Sequence, residues 1–189
     1  MRLSLLYTYD ALQLIGFALN AVIVITAFIS TKVRRTTVWY SFMSAWVLWC
    51  ISYSLLLGYQ LEGSPPFSLC LFQAGTIYAA PPCNALLTLG ILAQLYISLS
   101  ATIKQRRPPS WINATILAVP IVVYLSVFVG VMALGLSDRD RVVRDTSRMY
   151  CNLSGGIASS ISAALVGLAS LAMLILEGRV YQLKVCRPS

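Results

Sequence analysis

Five cysteines are the side chains in this chain with the most chemistry to offer. Cys50 and Cys83 lie inside long apolar stretches and read as small buried apolar groups. Cys70 opens the third apolar stretch, and Cys151 lies in the charged segment before the fifth. If both face an oxidising compartment, a disulfide between them is chemically permitted and would pin that segment over the helices; the alternative is two free thiols. Cys186 follows the last apolar stretch, between Lys184 and Arg187, where a juxtamembrane thiol is a candidate for palmitoylation or stays unmodified. Two Asn-x-Ser/Thr sequons occur, at Asn113 and Asn152. The chain has no histidine. That excludes the Ser-His-Asp and Cys-His arrangements and most haem and catalytic zinc sites. Neither a catalytic residue nor a metal or cofactor is expected, and the chain does not read as an enzyme.

A second group of candidates is polar rather than reactive. At 100° per residue, Gln73, Asn84 and Ser98 fall within about 40° of one another on one helix, with Thr76, Thr88 and Gln94 beside them. Polar side chains avoid lipid unless they find partners, so this stripe is expected to face other helices. It is either the lining of a ligand pocket or a set of interhelical hydrogen bonds. Tyr78 falls on roughly the opposite face, and Asn20 in the first apolar stretch reads like the stripe.

These residues need helices to hold them, and the composition says in which solvent. The chain is 58% hydrophobic and 11% charged, whereas a soluble domain carries roughly 25% charged residues. Too few polar groups remain to cover a water-facing surface. Spanning a hydrocarbon core takes about 20 apolar residues. Five stretches free of Asp, Glu, Lys and Arg qualify: Ala11–Ser30, Val38–Gly58, Leu71–Ala101, Trp111–Leu136 and Ile157–Leu176. The fold class is therefore all-α, a polytopic transmembrane bundle forming a single domain over 1–189, with a short tail at 177–189. The third stretch is the longest and contains Pro81 and Pro82. One tilted helix kinked at the prolines is favoured over two short spans. In the fifth, Gly156, Ser160 and Ala164 form one row of small residues, and Ser159, Ala163 and Gly167 another, as in closely packed membrane helices.

Basic residues between the stretches set the orientation. One side holds Lys32, Arg34, Arg35, Lys104, Arg106, Arg107, Arg179, Lys184 and Arg187. The other holds Arg2, Arg139, Arg141, Arg144 and Arg148. The richer side is expected to be cytoplasmic, with the N-terminus outside, the C-terminus inside, and the plasma membrane the expected location. Trp39, Tyr40 and Trp111 begin spans at that side, where amphipathic rings prefer to sit. Cys70 and Cys151 then both fall outside. Asn152 becomes a candidate for glycosylation, and Asn113 does not. The net charge of +8 is spread among membrane-flanking clusters rather than gathered on a soluble face, so nucleic acid is not an expected partner.

The run Cys70-Leu-Phe-Gln73-Ala-Gly-Thr-Ile-Tyr78-Ala-Ala-Pro81-Pro82 resembles the start of the third helix in a group of seven-span, G-protein-coupled-receptor-like proteins of basidiomycete fungi. Cys151, in Tyr150-Cys-Asn-Leu, is similar to the partner cysteine in that group's second outer loop. Asn20, the basic turns and Trp111 agree with it. The resemblance implies a receptor architecture, a small ligand bound from outside, and a cytoplasmic face that meets G proteins. Two departures stand beside it. Only five spans are legible, so the last two helices of the family are lacking and the expectation is a truncated receptor. The acidic-Arg-aromatic triplet at the inner end of the third helix in many receptors is replaced by Leu99-Ser100-Ala101-Thr102. Alternative expectations are a non-signalling scaffold for other membrane proteins, or a transporter fragment. The absence of ionisable residues from the five stretches weighs against the transporter.

Overall fold

A computed structural model describes residues 3–30, 35–60, 63–105 and 111–185; Cys186, the palmitoylation candidate, lies outside them. Five helices dominate: α1 (Leu3–Ile29), α2 (Thr37–Ser54), α3 (Phe67–Lys104), α4 (Trp111–Ser137) and α5 (Ile157–Val185). Four of them, α1, α3, α4 and α5, are long and apolar enough to cross a membrane. Their unpartnered faces are apolar too. Ile15, Phe28, Val122, Val129, Leu168 and Leu174 are each exposed, in a chain where water would tolerate only a few hundred Å² of such surface. The protein is an α-helical integral membrane protein.

The second expected span is the exception. Helix α2 has 18 residues and is rich in Trp, Tyr and Ser, and it is not among the four helices of spanning length and hydropathy. It rises about 27 Å, against a hydrocarbon core of roughly 30 Å. It starts where Thr36 accepts a hydrogen bond from the Trp39 N–H (3.3 Å). It gives way at Leu55 to a turn closed by Gly58, whose φ of 95° suits glycine. Other boundaries shift outward. Helix α1 begins at Leu3, so Asp10 lies inside it, and α5 continues through most of the expected tail.

Helix α3 runs unbroken through Pro81 and Pro82, so the single-helix reading holds over the two-span alternative. Neither proline can donate to the turn before it, which leaves the carbonyls of Ile77 and Tyr78 without their usual helical partners. Pro82 is fully buried. Helix α3 is the hub of the bundle and contacts α2, α4 and α5, while α1 packs on α2.

Close approach falls elsewhere than the small-residue rows suggest. Gly156, Ser159, Ser160, Ala163, Ala164 and Gly167 are all exposed, and α5 instead buries Ala158, Ser162 and Ala169. The tight seam is between α3 and α4. A Cβ at Gly75 would meet the Phe128 ring at 2.8 Å, and one at Gly90 would meet Ile116 Cγ2 at 2.7 Å. One at Gly135 would collide with Leu71.

The segment between α4 and α5 adds a small strand pair to the all-α fold. After a short 3₁₀ turn, Val142–Arg144 (β1) and Cys151–Leu153 (β2) form an antiparallel hairpin in which Arg144 faces Cys151 and Val142 faces Leu153. Arg148 turns the chain with φ 59°. Asp145 binds the Ser147 N–H at 2.8 Å. The hydroxyl and N–H of Ser147 together hold the Asp145 carboxyl below its usual range.

Candidate functional site

The hairpin sits on the N-terminal end of α3 and is fastened there four ways. Cys70 and Cys151 form a disulfide with Cα atoms 5.3 Å apart, within the reach such a bond needs. The two sulfurs pack against buried Leu56. Gln73, fully buried, works as a two-sided joint. Its amide nitrogen donates to the Ser52 carbonyl (3.0 Å), and its oxygen accepts from the Cys151 N–H (3.0 Å). One side chain thereby ties α2, α3 and β2 together. The Tyr78 hydroxyl accepts from the Leu153 N–H at 3.3 Å. Arg144 donates to the carbonyls of Tyr59 (2.7 Å), Gly63 (3.1 Å) and Arg148 (3.1 Å), which fastens the hairpin to the chain between α2 and α3.

Beneath the hairpin lies an aromatic cluster. The Trp49 and Tyr53 rings stack at 5.3 Å, and Tyr53 meets Tyr9 of α1 and Tyr150 of the hairpin turn, each at 6.4 Å. Trp46 and Phe42 continue the ladder along α2. The Tyr9 hydroxyl is buried without a hydrogen-bond partner among the described residues. Beside it, buried Asp10 accepts from the Gln60 amide at 2.9 Å. Burial, and then the nearby Asp145 charge, push the Tyr150 phenol up from its ordinary value. The arrangement offers flat rings, hydroxyls and one carboxylate. No group of three or more metal-ligating side chains occurs among the described residues.

The polar stripe divides into separate environments. Gln73 belongs to the hairpin joint. Asn84 is buried deep in the bundle and has no partner for either amide atom among the described residues. Gln94 donates to the Asn113 side chain (3.2 Å), an α3–α4 bond nearer the other end. Ser98 is exposed, and its carbonyl accepts from the Thr102 hydroxyl one turn on. The inward stripe thus fails at Ser98. Tyr78, assigned to the opposite face, is half-buried and bonded to the hairpin. From Cys70 to Asn84, α3 is enclosed on nearly every side, with Phe72 the exposed residue. Asn20 donates within its own helix, to the Gly16 carbonyl (2.7 Å). Asn152 lies in β2 opposite Val143, its side-chain oxygen buried and without a hydrogen-bond partner among the described residues.

The aromatic cluster and the Arg144 clamp escaped the sequence reading. A spacing signal existed for the first: Phe42, Trp46, Trp49 and Tyr53 recur at helical intervals along α2. Arg144 carried none, since its three acceptors are backbone carbonyls. No protein-family model, curated protein or solved structure matches this chain.

Proposed function

We propose that this is a five-span, G-protein-coupled-receptor-like membrane protein of the plasma membrane. In this reading the N-terminus and the hairpin lie outside, the C-terminus lies in the cytoplasm, and a small ligand binds from outside. Binding rather than catalysis is its task. The observation that carries the reading is the Cys70–Cys151 bond, which holds the hairpin against the start of α3. Thiols pair stably on the oxidising side of a membrane. The side poorer in Lys and Arg is also the disulfide side, as the positive-inside rule requires. The rings of Tyr9, Trp49, Tyr53 and Tyr150 under the hairpin supply apolar faces with polar tips, as small-molecule sites do. Helix α2, short of a full span by itself, crosses in this reading inside the bundle, its Trp and Tyr rings packed on one another.

A second reading, a non-signalling partner for other membrane proteins, is favoured by the exposed small-residue rows of α5. The two separate on nucleotide exchange. A receptor-like chain in lipid nanodiscs accelerates uptake of a non-hydrolysable GTP analogue by a heterotrimeric G protein, and it loses that effect when the disulfide is reduced. Exchange left unchanged by folded, oxidised protein would reject the receptor reading and leave the partner reading standing.

A further inference from the structure

Near the middle of α3, away from the hairpin, α2, α3 and α4 enclose a cavity of about 190 Å³. Its inner wall is Ser52, Cys83, Asn84, Leu87, Pro120 and Tyr124, and no charged side chain lines it. At its rim Leu48, Ile121 and Leu125 are 59%, 55% and 52% exposed, so the mouth opens sideways onto the surface that lipid covers.

The wall has one unsatisfied feature. Asn84 is 5% exposed, yet neither its amide nitrogen nor its amide oxygen has a partner among the described residues. A buried amide left unpaired is costly, and hydrocarbon holds no water to relieve it. The hydroxyl of Ser52 donates to the Leu48 carbonyl (2.8 Å), so its proton does not serve the Asn84 amide oxygen. The hydroxyls of Ser41, Ser44 and Tyr124 and the Cys83 thiol also line the cavity, yet none of them pairs with the Asn84 amide. What completes the site must bring both an acceptor for the amide nitrogen and a donor for the amide oxygen. It must be neutral, and it must be apolar elsewhere.

We propose that this cavity is an intramembrane binding site for a lipophilic ring compound bearing a hydroxyl or carboxamide, which enters from the bilayer and pairs with Asn84. The size agrees. A cavity of about 150 Å³ takes up benzene, so this one holds a substituted single ring. The site is distinct from the aromatic cluster under the hairpin and stands whether or not the receptor reading does.

The test uses the whole chain in nanodiscs and a benzyl alcohol carrying a photoreactive diazirine on its ring. Irradiation is expected to label the wall peptides around 80–87 and 117–125. Unlabelled benzyl alcohol should displace the probe about threefold better than ethylbenzene, its isostere without the hydroxyl. That factor is what one hydrogen bond inside a membrane is worth on average. Asn84→Leu should erase the difference between the two competitors. Ala45→Phe, which fills the cavity and leaves Asn84 in place, should remove wall labelling altogether and decides the matter if the leucine variant fails to fold. Labelling spread evenly over the lipid-facing surfaces, equal displacement by the two competitors, or wall labelling that persists in Ala45→Phe would overturn the proposal.

Discussion

Gly90→Val is expected to lower the unfolding midpoint of the purified protein clearly, while Gly130→Ala and Gly167→Ala leave it unchanged or raise it. A Cβ at position 90 would stand 2.7 Å from Ile116 Cγ2 and 3.7 Å from Val38 Cγ1. The isoleucine methyl cannot swing aside, because two heavy atoms on its Cβ leave χ1 little freedom in a helix. Helices α3 and α4 must then part, and forcing extra volume into a packed interface costs about 1–3 kcal/mol. Valine also places a branch where the smallest residue is required, so Gly90→Ala should show the same effect at smaller size. At Gly130 and Gly167 nothing lies within 4 Å of the new Cβ. Alanine there meets no obstacle and favours the helix. Thermal unfolding followed by tryptophan fluorescence checks the contrast. Equal midpoints for Gly90→Val and Gly167→Ala would remove the α3–α4 seam from the account.

Gln73→Leu should loosen the hairpin even though the disulfide stays intact. The substitution keeps an apolar side chain of similar bulk but leaves the Cys151 N–H and the Ser52 carbonyl without the partners they have now. Both residues are buried, and abandoning a buried donor or acceptor costs about 1–3 kcal/mol each. That exceeds the average of about 0.6 kcal/mol for hydrogen bonds between membrane helices, whose loose ends find other partners. The Cys151 amide is held by β2 at the edge of the bundle and has fewer substitutes at hand. Hydrogen exchange should therefore quicken across 142–153 in Gln73→Leu and stay unchanged in Ser98→Leu, whose side chain is exposed. An unchanged Cys151 amide in Gln73→Leu would deny Gln73 its joint role.

The four long apolar helices were legible because lipid imposes a simple code: uninterrupted apolar length, with charges only between. The pairing of Cys70 with Cys151 was legible as a permitted bond, since Cys50 and Cys83 sit inside spans and the basic-residue bias sets Cys186 on the other side. The hairpin was not. Residues 137–150 carry seven charges and no alternating apolar pattern, and what orders them is Arg144 bonding to backbone carbonyls. The helical wheel placed Tyr78 opposite the polar stripe correctly as an angle and wrongly as an environment. It presumes one buried face, whereas the N-terminal half of α3 is surrounded by α2, α4, α5 and the hairpin. The same presumption carried Ser98 inward, although its side chain is exposed. Small residues misled in a similar way. Glycines and serines permit close approach but do not summon it, and the approach occurs where a large partner, Phe128 or Ile116, fills the space that Gly75 or Gly90 leaves open.

The central claim is a membrane-spanning bundle whose disulfide-tied hairpin lies outside the cell. It is tested most directly by cysteines placed at Thr146 in the hairpin turn and Thr102 near the opposite end of α3, both exposed positions. A membrane-impermeant maleimide added to intact cells should modify Thr146→Cys and miss Thr102→Cys until the cells are permeabilised. Modification of Thr102→Cys in intact cells, with or without Thr146→Cys, would contradict it.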